Sequence, residues 1–184
     1  MLNKNLFAIT IFISSFLLFL VQPIIAKQIL PWFGGTSAVW TTCLTFFQVA
    51  LLLGYMYSDW IQRFSPKKQG IFHCIVICVS LIFLPIIANP DWKPINSEEP
   101  IIHILGLLFF TIGLPYFVLS TTGPLLQSWF ARENKFSEES KKTYRLFALS
   151  NLASIIGLLM YPFAIETWIT LSAQAITWLS LIHI

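Results

Sequence analysis

The stretch "LFAITIFISSFLLFLVQPIIAKQILPWFGG", Leu6 to Gly35, decides the fold. No charged residue interrupts it from Leu6 to Ala26, and it closes on prolines, a tryptophan and two glycines. A run of about 20 apolar residues matches the thickness of a bilayer core when wound into a helix. A membrane β-barrel would instead show short segments of alternating hydrophobicity, and this run does not alternate. A secretory leader also has an early lysine and an apolar core, but a shorter one that no further spans follow. The stretch therefore reads as an uncleaved first transmembrane helix.

The rest of the chain repeats the pattern. Of its 184 residues, 57% are hydrophobic and only 10% are charged, and the mean hydropathy is +0.76. A soluble domain carries about 25% charged residues, so this chain cannot cover itself with a water-facing surface. Apolar segments fall at about 6–29, 38–59, 70–89, 101–130, 145–165 and from 169 to 178 onward. The expected fold is all-α: a polytopic transmembrane bundle of five full spans and the start of a sixth, forming one membrane domain over residues 1–178. Cys43, Cys74 and Cys78 lie in apolar segments without metal or disulfide spacing and read as small hydrophobes.

Charge placement gives the orientation. Lys4, then Arg63, Lys67 and Lys68, then Arg132, Lys135, Lys141, Lys142 and Arg145 fall on one side of the segments. Lys27 and Lys93 are the remaining two of the chain's 11 basic residues and fall on the other. Cytoplasmic loops hold the excess of Lys and Arg, so the N-terminus is expected in the cytoplasm of a multi-pass protein of the bacterial inner membrane. Trp32, Trp40, Trp60, Trp92, Trp129 and Trp168 sit near the segment ends, as interfacial tryptophans do. The loop "ARENKFSEESKKTYR" reads as a solvated linker whose basic residues could also meet anionic lipid.

No soluble enzyme motif is present. The glycines form neither a dinucleotide fingerprint nor a P-loop, and His73, His103 and His183 lack metal-ligand spacing. No catalytic residue, cofactor, metal or nucleic-acid partner is expected. Function would have to come from polar groups inside the membrane, which are expensive there. Gln22, Lys27 and Gln28 lie in the outer half of the first helix. Lys27 reads first as a side chain snorkelling to the interface and second as a partner for Glu166, which the topology puts at the same depth. Asp59 and Arg63, four apart, suit an ion pair at a helix end. Tyr116, Thr121 and Gln127, with Ser120 and Thr122, are candidates for a solute path. The hydroxyls read equally as partners for carbonyls freed by Pro115 and Pro124, where a kink or break is expected. Asn151 stands among Ser150, Ser154 and Gly157 on a small, polar face suited to close helix packing.

The segments "FLLFLVQPIIAKQILPWFGGTSAVWTTCLTFFQVALLLGY", "GLPYFVLSTTGPLLQSWFAR" and "YRLFALSNLASIIGLLMYPFAIE" resemble the N-terminal membrane region of bacterial fused spermidine synthase-like proteins, also described as fused major facilitator and spermidine synthase proteins. The resemblance covers about residues 6–178 and implies half of a major facilitator fold. It also implies a cytoplasmic Rossmann-like aminopropyltransferase domain acting on decarboxylated S-adenosylmethionine and a polyamine. This sequence holds no glycine-rich nucleotide loop and no acidic pair for amines, so no catalytic residue transfers. The expected role is a membrane domain that anchors such an enzyme or moves a small amine. The alternatives are a facilitator-type transporter of another small solute and a purely structural anchor. The last residues, "LSLIHI" at 179–184, can be encoded by CTG TCT CTT ATA CAC ATC, a transposon end used in library preparation. They are expected to be adapter read-through after a natural sequence reaching Trp178.

Overall fold

The computed structural model describes residues 4–83, 86–94, 100–133 and 143–182. All regular structure among the described residues is helical. Helix α1 runs Lys4–Phe33, α2 Ser37–Ile61, α3 Pro66–Ser80, α4 Pro100–Leu108, α5 Leu114–Glu133, α6 Thr143–Met160, α7 Glu166–Trp168 and α8 Leu171–Ile182. A π-helical turn, Phe109–Gly113, joins α4 to α5 without a break, and another, Tyr161–Ile165, joins α6 to α7. Among the described residues, four helical units are long and apolar enough to cross a membrane: Lys4–Phe33, Ser37–Ile61, Pro100–Glu133 and Thr143–Trp168.

The third expected span differs. The helix starts earlier than 70, at Pro66, where a proline suits the first turn. It ends at Ser80 in a 3-10 turn, Leu81–Phe83, and Ile86 to Asn89 are not helical. Pro85 explains the early stop: it has no N–H and disfavours helix at the residue before it. At 1.5 Å per α residue and 2.0 Å per 3-10 residue, Pro66 to Phe83 rises about 28 Å, just short of the roughly 30 Å of a bilayer core. The sixth segment is helix α8, continuous to Ile182.

Prolines act elsewhere than expected. Helix α5 passes through Pro124 unbroken. The irregular turn lies upstream, at Phe109–Gly113, two residues before Pro115. Pro115 cannot donate to the carbonyl four residues back, and a wider turn absorbs the mismatch. Pro162 sits inside the second such turn, where the Glu166 N–H reaches back five residues to the Tyr161 carbonyl.

Helix α1 is the centre of the bundle, with its largest contacts on α6, α5 and α8. Two glycines let helices approach. Gly157 of α6 lies against the Phe16 carbonyl, where a Cβ would stand 2.8 Å from the oxygen. Gly54 of α2 lies against Ser120 of α5, where a Cβ would stand 2.8 Å from the Ser120 Cβ. Beside that contact, the Ser58 hydroxyl donates to the carbonyls of Gly54 and Thr121, at 2.9 and 3.2 Å.

The two ends of the bundle are chemically distinct. Phe7, Ile11, Phe130 and Leu146 cluster at one end. There Trp129 Nε1 donates to Gln69 Oε1 at 2.7 Å, and Ser128 Oγ to Gln62 Oε1 at 2.6 Å. These contacts bring the start of α1, the α2–α3 turn, the end of α5 and the start of α6 together. Lys4, Arg63, Lys67, Lys68, Arg132 and Arg145 thus share one end. At the other, Lys93 Nζ stands 5.1 Å from the centre of the Trp32 ring. Lys135, Lys141 and Lys142 lie outside the described residues.

Candidate functional site

Polar groups gather in two places. The first is the end of the bundle opposite the basic cluster. Lys27 Nζ lies 2.9 Å from Glu166 Oε1, with the side chains 41% and 42% exposed. The turn at Tyr161–Ile165 precedes Glu166 and carries it to α1. The two readings of Lys27 therefore meet in one side chain, which is both paired and open to the surface. Such a half-exposed pair is worth about 0–1 kcal/mol. Gln28, one residue on, does more structural work: its Oε1 accepts from the Ala88 N–H at 3.0 Å and its Nε2 donates to the Ile86 carbonyl at 3.5 Å. It holds the non-helical segment after α3 against α1, because a backbone outside a helix needs partners.

The second gathering is a cavity of about 660 Å³ among α1, α5 and α6, with Tyr55 of α2 at its rim. Ser15, Ser120, Gln127, Ser150, Asn151 and Ser154 give it polar atoms, and no charged side chain among the described residues lines it. Ser15 and Ser150 share a hydrogen bond across α1 and α6 at 2.8 Å, and Ser154 Oγ donates to the Ser150 carbonyl at 2.9 Å. The small face expected on α6 is thus used for close packing. Gln127 is only 5% exposed, yet neither its amide nor that of Asn151 makes a hydrogen bond among the described residues. Gln127 stands six residues before the end of α5 and Asn151 eight after the start of α6. That puts the cavity about 9–12 Å in from the basic end.

Tyr116 and Thr121 are not exposed to this cavity. Tyr116 is 1% exposed, accepts from Gln22 Nε2 at 3.3 Å and packs against the Phe47 ring at 4.9 Å. Thr121 is fully buried, its hydroxyl donating to the Val118 carbonyl at 2.7 Å. Ser120 donates to Phe117 and Thr122 to Val118. These carbonyls are not the ones four residues before Pro115 or Pro124. The hydroxyls satisfy their own side chains by back-bonding within the helix, which corrects the expectation that they repair the prolines.

Asp59 and Arg63 form no ion pair. Both are exposed, but α2 ends at Ile61 and the Arg63 N–H bonds back three residues to Trp60. The one-turn spacing on a helix face that the pair requires stops before Arg63. The sequence also gave no sign that Trp178 would be buried on α1, its Nε1 donating to the Leu17 carbonyl at 2.8 Å. Cys43 is buried, while Cys74 and Cys78 are exposed on α3. Comparison with family models, curated proteins and solved structures finds no match.

Proposed function

We propose that this chain is the membrane domain of a spermidine synthase-like protein, built as half of a facilitator-type bundle with its N-terminus in the cytoplasm. In this reading α3 with its 3-10 turn is a fifth crossing, and the cavity among α1, α5 and α6 receives a small polar solute from the cytoplasmic side. The observation that carries the reading is Gln127, whose carboxamide lines that cavity without a hydrogen-bond partner among the described residues. Polar groups inside a membrane mark solute paths when they face a cavity. The polar groups among the described lining residues are hydroxyls and amides with no carboxylate, set among apolar side chains, so the cavity suits an uncharged solute carrying hydroxyl or amide groups. Tyr55 at the rim favours a second reading, in which an amine passes with its charge over the ring. The purely structural reading is supported at Tyr116 and Thr121, where every group is enclosed.

The test is uptake into vesicles holding the purified chain, with labelled acetamide, glycerol and putrescine as separate probes. Acetamide or glycerol uptake above that of empty vesicles, reduced at least tenfold by Gln127→Leu, is the expected result. Putrescine uptake alone would replace the neutral-solute reading by the amine one. Uptake equal to empty vesicles for all three probes would leave only the anchor.

A further inference from the structure

Another cavity, of about 370 Å³, lies among α1, α3 and α5, with Leu181 of α8 also lining it. Leu119 lines this cavity and the one beside α6, so that side chain is a wall between the two. Leu6 and Ile9 border it and are 54% and 55% exposed, so it opens past them to the surface of the bundle. His73, Thr10, Ser14, Ser80 and Thr122 supply its polar atoms. Three of the hydroxyls are already committed as donors. Ser14 donates to the Ile11 carbonyl at 3.2 Å, Ser80 to Ile77 at 2.6 Å and Thr122 to Val118 at 3.0 Å. A hydroxyl has one proton, so these three can only accept from a ligand. Thr10 makes no hydrogen bond among the described residues. His73 is only 9% exposed, its Nδ1 is enclosed without a partner, and neither ring nitrogen is bonded among the described residues. Thr10 stands six residues from the start of α1 and His73 seven from the start of α3, so both lie about 9–11 Å in from the basic end. Ionisable side chains at such a depth mark binding sites or proton paths.

We propose that this cavity binds an uncharged alcohol with an apolar body, its hydroxyl meeting His73 and Thr10 and its carbon chain lying along Ile13, Leu17 and Ile77. The lining selects this class by elimination. Among the described residues, no carboxylate lines the cavity to balance an ammonium, and no lysine or arginine lines it to balance an acid. An unpaired charge at this depth is costly. A lipid tail fills the apolar part but offers His73 no hydrogen bond. Water serves the polar atoms but leaves the leucines and isoleucines wetted. An alcohol does both. Its hydroxyl gives one proton to a waiting lone pair and accepts one from Thr10, while its chain covers the apolar wall. The cavity beside α6 differs, since it presents the carboxamides of Gln127 and Asn151. This site therefore stands or falls apart from the solute reading.

The experiment photolyses a diazirine analogue of octanol with the full chain in vesicles and maps the adducts by mass spectrometry. Saturable adducts within residues 10–17 and 73–80 are expected, displaced by octanol but not by octane or, at neutral pH, by octylammonium. His73→Phe and Thr10→Val should each weaken binding about two- to tenfold. His73→Gln and Thr10→Ser keep a hydrogen-bonding group and should largely retain it. Leu105→Ala, on the exposed side of α4, should change nothing. Labelling that does not saturate, equal displacement by octane or octylammonium, or unchanged affinity in both His73→Phe and Thr10→Val would each overturn the proposal. Equal weakening in the two conservative variants would assign the loss to packing and overturn it as well. Acetamide uptake that depends on Gln127, with no saturable octanol adduct, would retire this site and leave the solute reading standing.

Discussion

Gly54→Ala should loosen the α2–α5 contact. The added Cβ would overlap the Ser120 hydroxyl and stand 2.8 Å from the Ser120 Cβ and 3.2 Å from its backbone carbon. Rotating the serine clears the hydroxyl but neither carbon, so the helices must part. Overpacking of this kind costs about 1–3 kcal/mol. Separation also stretches the bond from Ser58 to the Thr121 carbonyl, now 3.2 Å, and an interhelical bond in a membrane averages about 0.6 kcal/mol. Alanine regains up to about 1 kcal/mol of helix propensity, so the net loss should be about 0.5–2.5 kcal/mol. Gly123→Ala is the control, since a Cβ there meets nothing within 4 Å, and it should be neutral to stabilising by up to about 1 kcal/mol. The assay is reversible unfolding in bicelles by titrated sodium dodecyl sulfate. Adding Ser120→Ala should recover part of the loss, because only the hydroxyl is removed. Gly54→Ala as stable as the parent chain, or Gly123→Ala equally damaging, would refute the described helix approach.

The same unfolding assay checks three further expectations. Glu166→Gln should cost less than about 1 kcal/mol, since the Lys27 contact is half-exposed at both ends. Trp178→Phe should cost about 2–4 kcal/mol, by removing the buried donor to the Leu17 carbonyl and by leaving a cavity where the larger indole packed. Gln69→Leu should cost about 1–3 kcal/mol, because it strands the Trp129 N–H and removes the donor to the Phe64 carbonyl at 2.8 Å.

What was legible in the sequence follows from what each signal measures. Helix α1 was readable because a membrane-length apolar run has few other stable forms. The Lys27–Glu166 contact was readable because charge counting put both residues at one end before any packing was known. Asp59–Arg63 failed because pair spacing assumes a helix that continues, and the boundary fell between them at Ile61. Gln28 was noticed, but its role was hidden because its partners belong to a segment expected to be helix. The third segment misled for the same reason: hydropathy measures burial from water, and Ile86 to Ala88 are apolar without being helical.

The cavity was the harder object, since a helix apolar all round does not announce which face meets its neighbours. Its geometry shows why the four chosen candidates divided. Tyr116, Ser120, Gly123 and Gln127 fall on one stripe of α5, with Tyr116 and Gln127 only about 20° apart at 100° per residue. Ser15, Leu18, Phe19 and Gln22 make a matching stripe on α1. The lower members of both stripes line the cavity, and the upper members, Gln22 and Tyr116, are joined to each other at 3.3 Å. Thr121 lies about 100° from Ser120 and faces the α2 contact that Ser58 bridges. A sequence reading that asked which polar residues share a stripe, rather than which lie in a membrane segment, would have separated Thr121 from Gln127. It would not have found where the stripe closes, because that depends on Phe47 packing against Tyr116 from a third helix.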